Sequence, residues 1–554
     1  MARPGIWIFI LVGAAAFLQL FSTFLRVYSR EYGVTRFITI GREFDARGIG
    51  VFRATPKYMG PTDRWGFDGQ FYAELALDPL LRDPQLKIAL DDPPYRARRI
   101  LTSWLAWMGG LGKPFWILNV YASLNLVFWI GFAVLLARLF QPYGWVGVGG
   151  FAAMLLTCGI IESIHGALTD FPGFTLLALA LMMGGAGGAA VLALAALARE
   201  PNLLGIVGFW CYRPPWLAAI RKNVQLGLIV ALPLALWVAY VASRFPPEQS
   251  IAGNNLTWPL WGIMGKLGEF SVHAGNGDIR WSHWYTELFT NEHLHALLTI
   301  VAVLTQSVYL FTRREWNNRI WQVGAIFVPY FLCISSIPWE SHFTITRHAL
   351  PITLAFNLVL AMRARRTWLL WFVLGNCFVP YGVYQFAMYA HEDANPAPVE
   401  CQVILDRLPV PAIKVRFDQG WSVHEWTHRS IWRWGAENHT WRWGVAAHTT
   451  VTMVNPTAQT FAVALSFATK SISRRDLKVA VRGVDEWSTP AMQARQFVQT
   501  GRFLLPPGET VICFESSNPP VSPGTGGEDR RLSFMLQDLT AELTAVPPQN
   551  NSGP

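Results

Sequence analysis

Between Phe115 and Ala137 the chain reads FWILNVYASLNLVFWIGFAVLLA, with no charged side chain. A run of that length fits an α-helix crossing a hydrocarbon core of ~30 Å. Upstream of it, Gly5–Leu25 is similar. Downstream, further apolar runs occupy Trp145–Ser163, Phe171–Ala198, Val224–Val241, Leu294–Phe311, Ile320–Ile337, His348–Met362 and Trp368–Tyr389. Ile100–Leu111 is too short to cross and reads as interfacial or re-entrant. Gly184-Gly185-Ala186-Gly187-Gly188 suits a tight hairpin between two short helices. With that hairpin and a short crossing at Asn202–Tyr212 the chain crosses about 11 times, and with the region taken as one span about 9 times. Both totals are odd, so the two termini face opposite sides.

Composition agrees. Of 554 residues 52% are hydrophobic and only 15% charged, below the roughly 25% of soluble domains. The expected fold class is a polytopic α-helical membrane protein with a separate C-terminal domain. Arg138, Arg221-Lys222, Arg313-Arg314 with Arg319, and Arg363 with Arg365-Arg366 mark the cytoplasmic side. That assigns the net charge of +9 to loops rather than to a nucleic-acid footprint. The N-terminus is then cytoplasmic, and loops 26–99, 244–292 and 338–347 face outward with everything after His391. Arg3 precedes an apolar run with no small-residue cleavage site, so the run reads as an uncleaved first span. Cys158, Cys211, Cys333 and Cys377 lie in or beside apolar segments, and no C-x-x-C or His/Cys metal spacing occurs.

Chemistry concentrates in the outward segments. In Pro61-Thr62-Asp63-Arg64-Trp65-Gly66-Phe67-Asp68-Gly69-Gln70-Phe71-Tyr72, Asp68 sits between a ring and a glycine. Burial there would raise its pKa and suit it to proton exchange or cation binding. An Asx-turn opening an interfacial helix would use the same residues. Asp63, Asp91 and Asp92, then Arg96, Arg98 and Arg99, share the loop; Glu162, His165, Asp170, Arg199, Glu200, His342, Arg347 and His348 lie near other outer ends. Ionisable groups at membrane depth are costly and default to function, although a single Arg can simply snorkel. As a set, carboxylates plus arginines suit a lipid-anchored phosphate substrate.

Phe67-Asp68-Gly69-Gln70-Phe71-Tyr72, Leu77-Asp78-Pro79, Tyr95-Arg96-Ala97-Arg98-Arg99-Ile100-Leu101, Leu168-Thr169-Asp170, Ala198-Arg199-Glu200 and Arg347-His348-Ala349-Leu350-Pro351 follow in that order. The series, spanning about residues 1–390, resembles bacterial membrane glycosyltransferases of the GT-C superfamily, which use polyprenyl-phosphate sugars, and is most similar to those forming cell-surface glycopolymers. The resemblance implies a multi-pass protein of the bacterial inner membrane that moves a sugar from a polyprenyl-phosphate donor to a glycan or lipid-linked acceptor. It implies a catalytic Asp in the first outer loop, mapping to Asp68, and an arginine near a late span contacting the lipid phosphate, mapping to Arg347. Gln70, Arg98, Arg99, Asp170 and Arg199 complete the expected substrate and phosphate contacts. Many superfamily members carry an adjacent acidic pair where Asp68 is followed by Gly69. Asp91-Asp92 is such a pair, which leaves the identity of the base, and a role for a divalent cation, open. No Gly-rich phosphate loop or dinucleotide fingerprint is present, which argues against nucleotide sugars.

After Tyr389 the composition changes. Residues 391–398 read as a linker, 399–543 as an outer β-sandwich, and 544–554 as a frayed tail. Alternation marks strands at Thr449–Val454, Thr460–Phe467, Leu477–Val481, Thr510–Phe514 and Arg531–Leu536. A near-repeat, Trp432-Arg433-Trp434 and Trp441-Arg442-Trp443, could stack sugars in a groove or Arg on rings in a core. The outer compartment would permit a Cys401–Cys513 disulfide. Two other classes compete with an enzyme. A lipid-glycan transporter or flippase would carry ionisable groups along mid-membrane helices and internal repeats. A non-catalytic glycan-binding scaffold would work through the Trp/Arg ladder alone.

Overall fold

The computed structural model describes residues 5–58, 66–210, 215–245, 255–275, 288, 291–339, 342–364, 366–388, 413–418, 420–421, 425–426, 440–481, 485–491, 496–521 and 531–546. They fall into two compact units, Met1–His391 and Glu392–Pro554.

Unit one is helical. α1 (Ile6–Val27) leads into the polar segment that holds α2 (Gly69–Leu77), followed by α3 (Leu101–Gly109). α4 (Pro114–Phe140), α5 (Gly144–Leu155), α6 (Cys158–His165), α7 (Asp170–Met183) and α8 (Gly185–Ala198) come next. A 3-10 stretch, Glu200–Phe209, precedes α9 (Trp216–Arg244) and α10 (Trp261–Gly275). α11 (Glu292–Thr312), α12 (Arg319–Leu332), α13 (His342–His348), α14 (Leu350–Met362), α15 (Trp368–Gly375) and α16 (Val379–Met388) complete it. In the most apolar windows of α1 and α9 only 28% of residues are buried in protein. Trp7, Leu11, Leu217 and Leu236 stand exposed along them. Apolar surface of that extent on a helix needs lipid to cover it. This is a membrane protein.

Among the described residues four helical stretches are long and apolar enough to cross, Ile6–Val27, Pro114–His165, Trp216–Arg244 and His293–Thr312, or five with one bent pair. The others stop early for identifiable reasons. Gly184, at φ +66°, ends α7 and reverses the chain into α8. α15 and α16 meet at 56° rather than forming one span. At that break Gln306 Nε2 donates to Gly375 O at 2.6 Å, and Asn357 and Asn376 exchange amide hydrogen bonds at 3.0 and 3.1 Å. Side chains thus satisfy groups that a continuous helix would have paired internally. α10, read from sequence only as loop, packs Ile263 inward and leaves Trp261 and Met264 exposed.

Unit two holds two antiparallel sheets. β1 (Lys414–Phe417), β2 (Glu425–Trp426), β3 (Thr440–Trp443), β4 (His448–Asn455), β5 (Phe461–Ser471), β6 (Arg475–Val481), β7 (Asp485–Ala491), β8 (Gln496–Gln499), β9 (Phe503–Leu505), β10 (Gly508–Ser516) and β11 (Phe534–Ala545) run in chain order. One sheet is ordered β1-β4-β10-β6-β7; the other is β2-β3-β11-β5-β8, with β9 on β5. Leu477, Val479 and Val481 alternate inward along β6, as strand geometry requires. Phe514 of the first sheet meets Phe467 and Phe534 of the second, at 5.9 and 6.2 Å between ring centres.

Trp432, Arg433 and Trp434 lie outside the described residues, as does Cys401; Cys513 is a free thiol on β10. In the second half of the repeat, Arg442 pairs across strands with Leu536 of the core cluster and lies 4.4 Å over the Phe417 ring. Trp443, half-buried, pairs with Met535 on the opposite face. Trp441 pairs with Gln537.

Candidate active site

The backbone around Asp68 is shaped by two close approaches. Gly66, at φ +69°, has room for no side chain, since a Cβ there would lie 2.4 Å from Gly41 N and 2.6 Å from Thr39 O. Gly69 seats the first turn of α2 on the end of α6, where a Cβ would lie 2.1 Å from Gly166 O. Asp68 immediately precedes that turn. Gln70 reaches back to the loop backbone. Its Oε1 accepts the Gly41 N–H at 2.9 Å, and the side chain is buried, so it clamps the loop. Glu74, one turn on, accepts the Ile49 N–H at 2.6 Å.

Two basic groups of side chains surround the carboxylate. Arg96 Nη2 donates to Asp68 Oδ1 at 2.9 Å and to Asp91 Oδ2 at 2.6 Å, while its Nε donates to Asp91 Oδ1 at 2.8 Å. Asp92 caps the Pro93–Ala97 turn by accepting from Tyr95 N–H, which sets Arg96 at this angle. Arg99 donates to Glu200 Oε2 at 2.9 Å, Tyr95 Oη at 2.7 Å and Tyr72 Oη at 3.1 Å. Arg98 is half-buried, 3.8 Å from Glu200 Oε1.

From the other end of unit one come Asp170, Arg199 and Arg347. Arg199 pairs with Asp170, and Arg347 Nη1 donates to Asp170 Oδ2 at 3.3 Å. His348 lies 2.9 Å from Arg199 Nη2 and 3.0 Å from the Tyr330 hydroxyl. α13 can present Arg347 here because Gly159 of α6 lets the Thr346–Arg347 backbone approach; a Cβ would lie 2.8 Å from Thr346 C. The Arg347 guanidinium stands 5.9 Å from the Phe67 ring centre, and its Nε is buried with no hydrogen-bond partner among the described residues.

The site thus draws Asp68, Arg98, Arg99, Asp170, Arg199 and Arg347 together from segments far apart in sequence. Five arginines face five carboxylates: Asp68, Asp91, Asp170 and Glu200 in ion pairs, and Glu162, whose charge acts on Arg347. The charges balance, and the Arg347 Nε is a buried donor left over, a group suited to an anion's oxygen. Sequence reading placed Arg96 and Glu200 in the outward polar set without a contact to the substrate, and gave Tyr72 and Tyr95 no role. Arg96 was visible only as one of three arginines in a row of five residues. Asp63 lies outside the described residues.

Asp68 corrects an expectation. Burial pushes its carboxyl up, but the charges of Arg96 and Arg347 and the Arg96 hydrogen bond outweigh it and hold it below the usual carboxylate range. The side chain keeps 36% exposure, so it is recessed yet open on one side. Burial likewise opposes ionisation of Glu200, and Arg99 overcomes it. Among the described residues no group of three or more His, Cys, Asp or Glu side chains is placed to hold a metal ion. A cavity of about 340 Å³ lies elsewhere, between Leu77, Pro79, Trp104 and Met108.

No family model matches the chain, and no curated protein does. The cryo-EM structure of arabinosyltransferase EmbB from Mycobacterium smegmatis aligns over 97% of this chain and 64% of its own, at 11% identity and a TM-score of 0.24. The chain therefore spans less than two thirds of that protein's length. A likeness at that TM-score carries no weight for chemistry.

Proposed function

We propose that the protein is a GT-C-type glycosyltransferase, moving a sugar from a polyprenyl-phosphate donor to an acceptor hydroxyl of a cell-surface glycan at the outer face of the inner membrane. The observation that carries this is one recessed, open carboxylate beside a buried arginine cluster in which Arg347 keeps an unpartnered donor among the described residues. Asp68 takes the acceptor O–H proton as the acceptor oxygen bonds the anomeric carbon. The anomeric C–O bond to phosphate breaks, and its electron pair leaves on the phosphate. Arg347, Arg199 and Arg99 offset the charge that develops there. A phosphate at Arg347 also cancels charge that holds Asp68 low, so donor binding raises the proton affinity of the base. Arg98 and Asp170 then shape the donor's surroundings, and Gln70 holds the loop. The two sheets of unit two fit a sandwich, with the Trp432–Trp443 segment as a sugar-stacking surface.

Native mass spectrometry with a polyprenyl phosphate tests the donor site. Arg347→Ala should weaken binding by tenfold or more, about the effect of one lost charge-assisted contact. Unchanged binding would remove the phosphate role from this cluster.

A further inference from the structure

Arg96 is buried against Asp68, and its contacts run to two carboxylates and two rings. Its guanidinium holds Asp91 through both Nε and Nη2, at 2.8 and 2.6 Å, and extends the same Nη2 to Asp68 at 2.9 Å. The plane is packed against the rings of Phe71, 4.8 Å away, and Tyr95, 5.4 Å away. Only 7% of Arg96 is exposed. A guanidinium gripped on one edge and sandwiched by rings has one orientation left. Asp91 is the outer end of this chain of charges, and its side chain keeps 32% exposure.

We propose that Arg96 and Asp91 are positioning residues for Asp68: Asp91 fixes the guanidinium, and Arg96 fixes the Asp68 carboxylate as an aimed anion. This rests on reading Asp68 as the acceptor base. The pair does not touch substrate. It gives Asp68 a single rotamer, leaving Oδ2 toward the open side while Oδ1 is tied. Because Arg96 is shared between two carboxylates, each takes part of its charge. Removing Asp91 gives Asp68 more of that charge, and removing Arg96 gives it less. Among the described residues, the other charged or titratable groups facing Asp68 are Arg347 from α13, Arg99 beyond the Pro93–Ala97 turn, and Tyr121 from α4. They stay in place in both variants.

The test reads Asp68 directly and needs no transfer assay. Full-length protein in nanodiscs is treated with a water-soluble carbodiimide and glycine ethyl ester over a pH series, and modification at Asp68 is quantified by peptide mass spectrometry. Carbodiimide reacts with the protonated carboxyl. Arg96→Gln should move the labelling midpoint up by about one pH unit or more, a tenfold change at fixed pH. Asp91→Asn should move it down. Unchanged midpoints in both variants, with unfolding temperatures close to wild type, would overturn the proposal. If Arg96→Gln does not fold, Asp91→Asn decides alone: a fall supports the chain and no change refutes it. Should the midpoints move as stated while Asp68→Asn retains full sugar transfer, the charge chain stands and the assignment of Asp68 as base falls.

Discussion

Glu74 is buried on α2, and burial, with the charge of Asp45 adding to it, pushes its carboxyl up to about 7. The folded state therefore binds a proton that the unfolded chain has released. Stability is greatest below the ordinary value of 4.5 and falls as pH rises towards about 7. A shift of that size corresponds to about 3 kcal/mol at most. Glu74→Gln keeps an acceptor for Ile49 N–H and removes the charge. It should raise the unfolding temperature at about pH 8 and leave it nearly unchanged at about pH 4. Thermal unfolding in detergent at the two values measures this, and equal shifts at both would contradict it. Asp68 shows why such residues are only half legible in sequence. The aromatic and glycine neighbours of Asp68 signal recession, which the structure has. They carry no sign of Arg96, whose reach is set by the Asp92-capped turn at Pro93 and by ring packing. The direction of the Asp68 shift was therefore hidden, whereas burial of some acid in the loop was not.

Helix breaks follow the same logic one level up. The hairpin at Gly184 is readable because glycine runs have one strong meaning, positive φ without steric cost. The bend between α15 and α16 is not, because Asn357 and Gln306 that support it lie on other helices. α2 depends on a contact that a glycine permits. Gly69→Ala would place a methyl against Gly166 O and force the first turn of α2 away from α6. Overpacking of this kind costs about 1–3 kcal/mol, and the displaced turn would carry Asp68 with it. Gly69→Ala should thus lower sugar transfer by a hundredfold or more while leaving every charged side chain intact. Its unfolding temperature, measured beside transfer, should fall by only a few degrees. Full transfer by this variant would show that Asp68 does not need its present seat.

At the scale of the molecule, every side chain of the candidate site belongs to unit one, and each unit has its own hydrophobic cluster. Residues 1–391 expressed alone should fold and insert, with an unfolding temperature near that of the full chain and polyprenyl-phosphate binding retained. Size-exclusion chromatography and native mass spectrometry check both; aggregation of the fragment would contradict it. Membrane character was plain from apolar runs such as Phe115–Ala137, and strands such as β6 and β10 from their alternation. The length of each helix was not, since apolar composition does not distinguish a long helix from one of α7's length that turns back at a glycine. Nor could spacing reveal that the charge of Arg347 reaches Asp68, because that depends on how α6, α13 and α2 pack at Gly159 and Gly69. The central claim is that Asp68 is the acceptor base of a sugar transferase. Its most direct test replaces the native protein by Asp68→Asn in its own cells and analyses the surface glycans by mass spectrometry, beside polyprenyl-phosphate binding by the purified variant. The account predicts a folded protein that binds the lipid phosphate and glycans lacking the transferred sugar, as in a deletion strain. Wild-type glycans from the Asp68→Asn strain would contradict it.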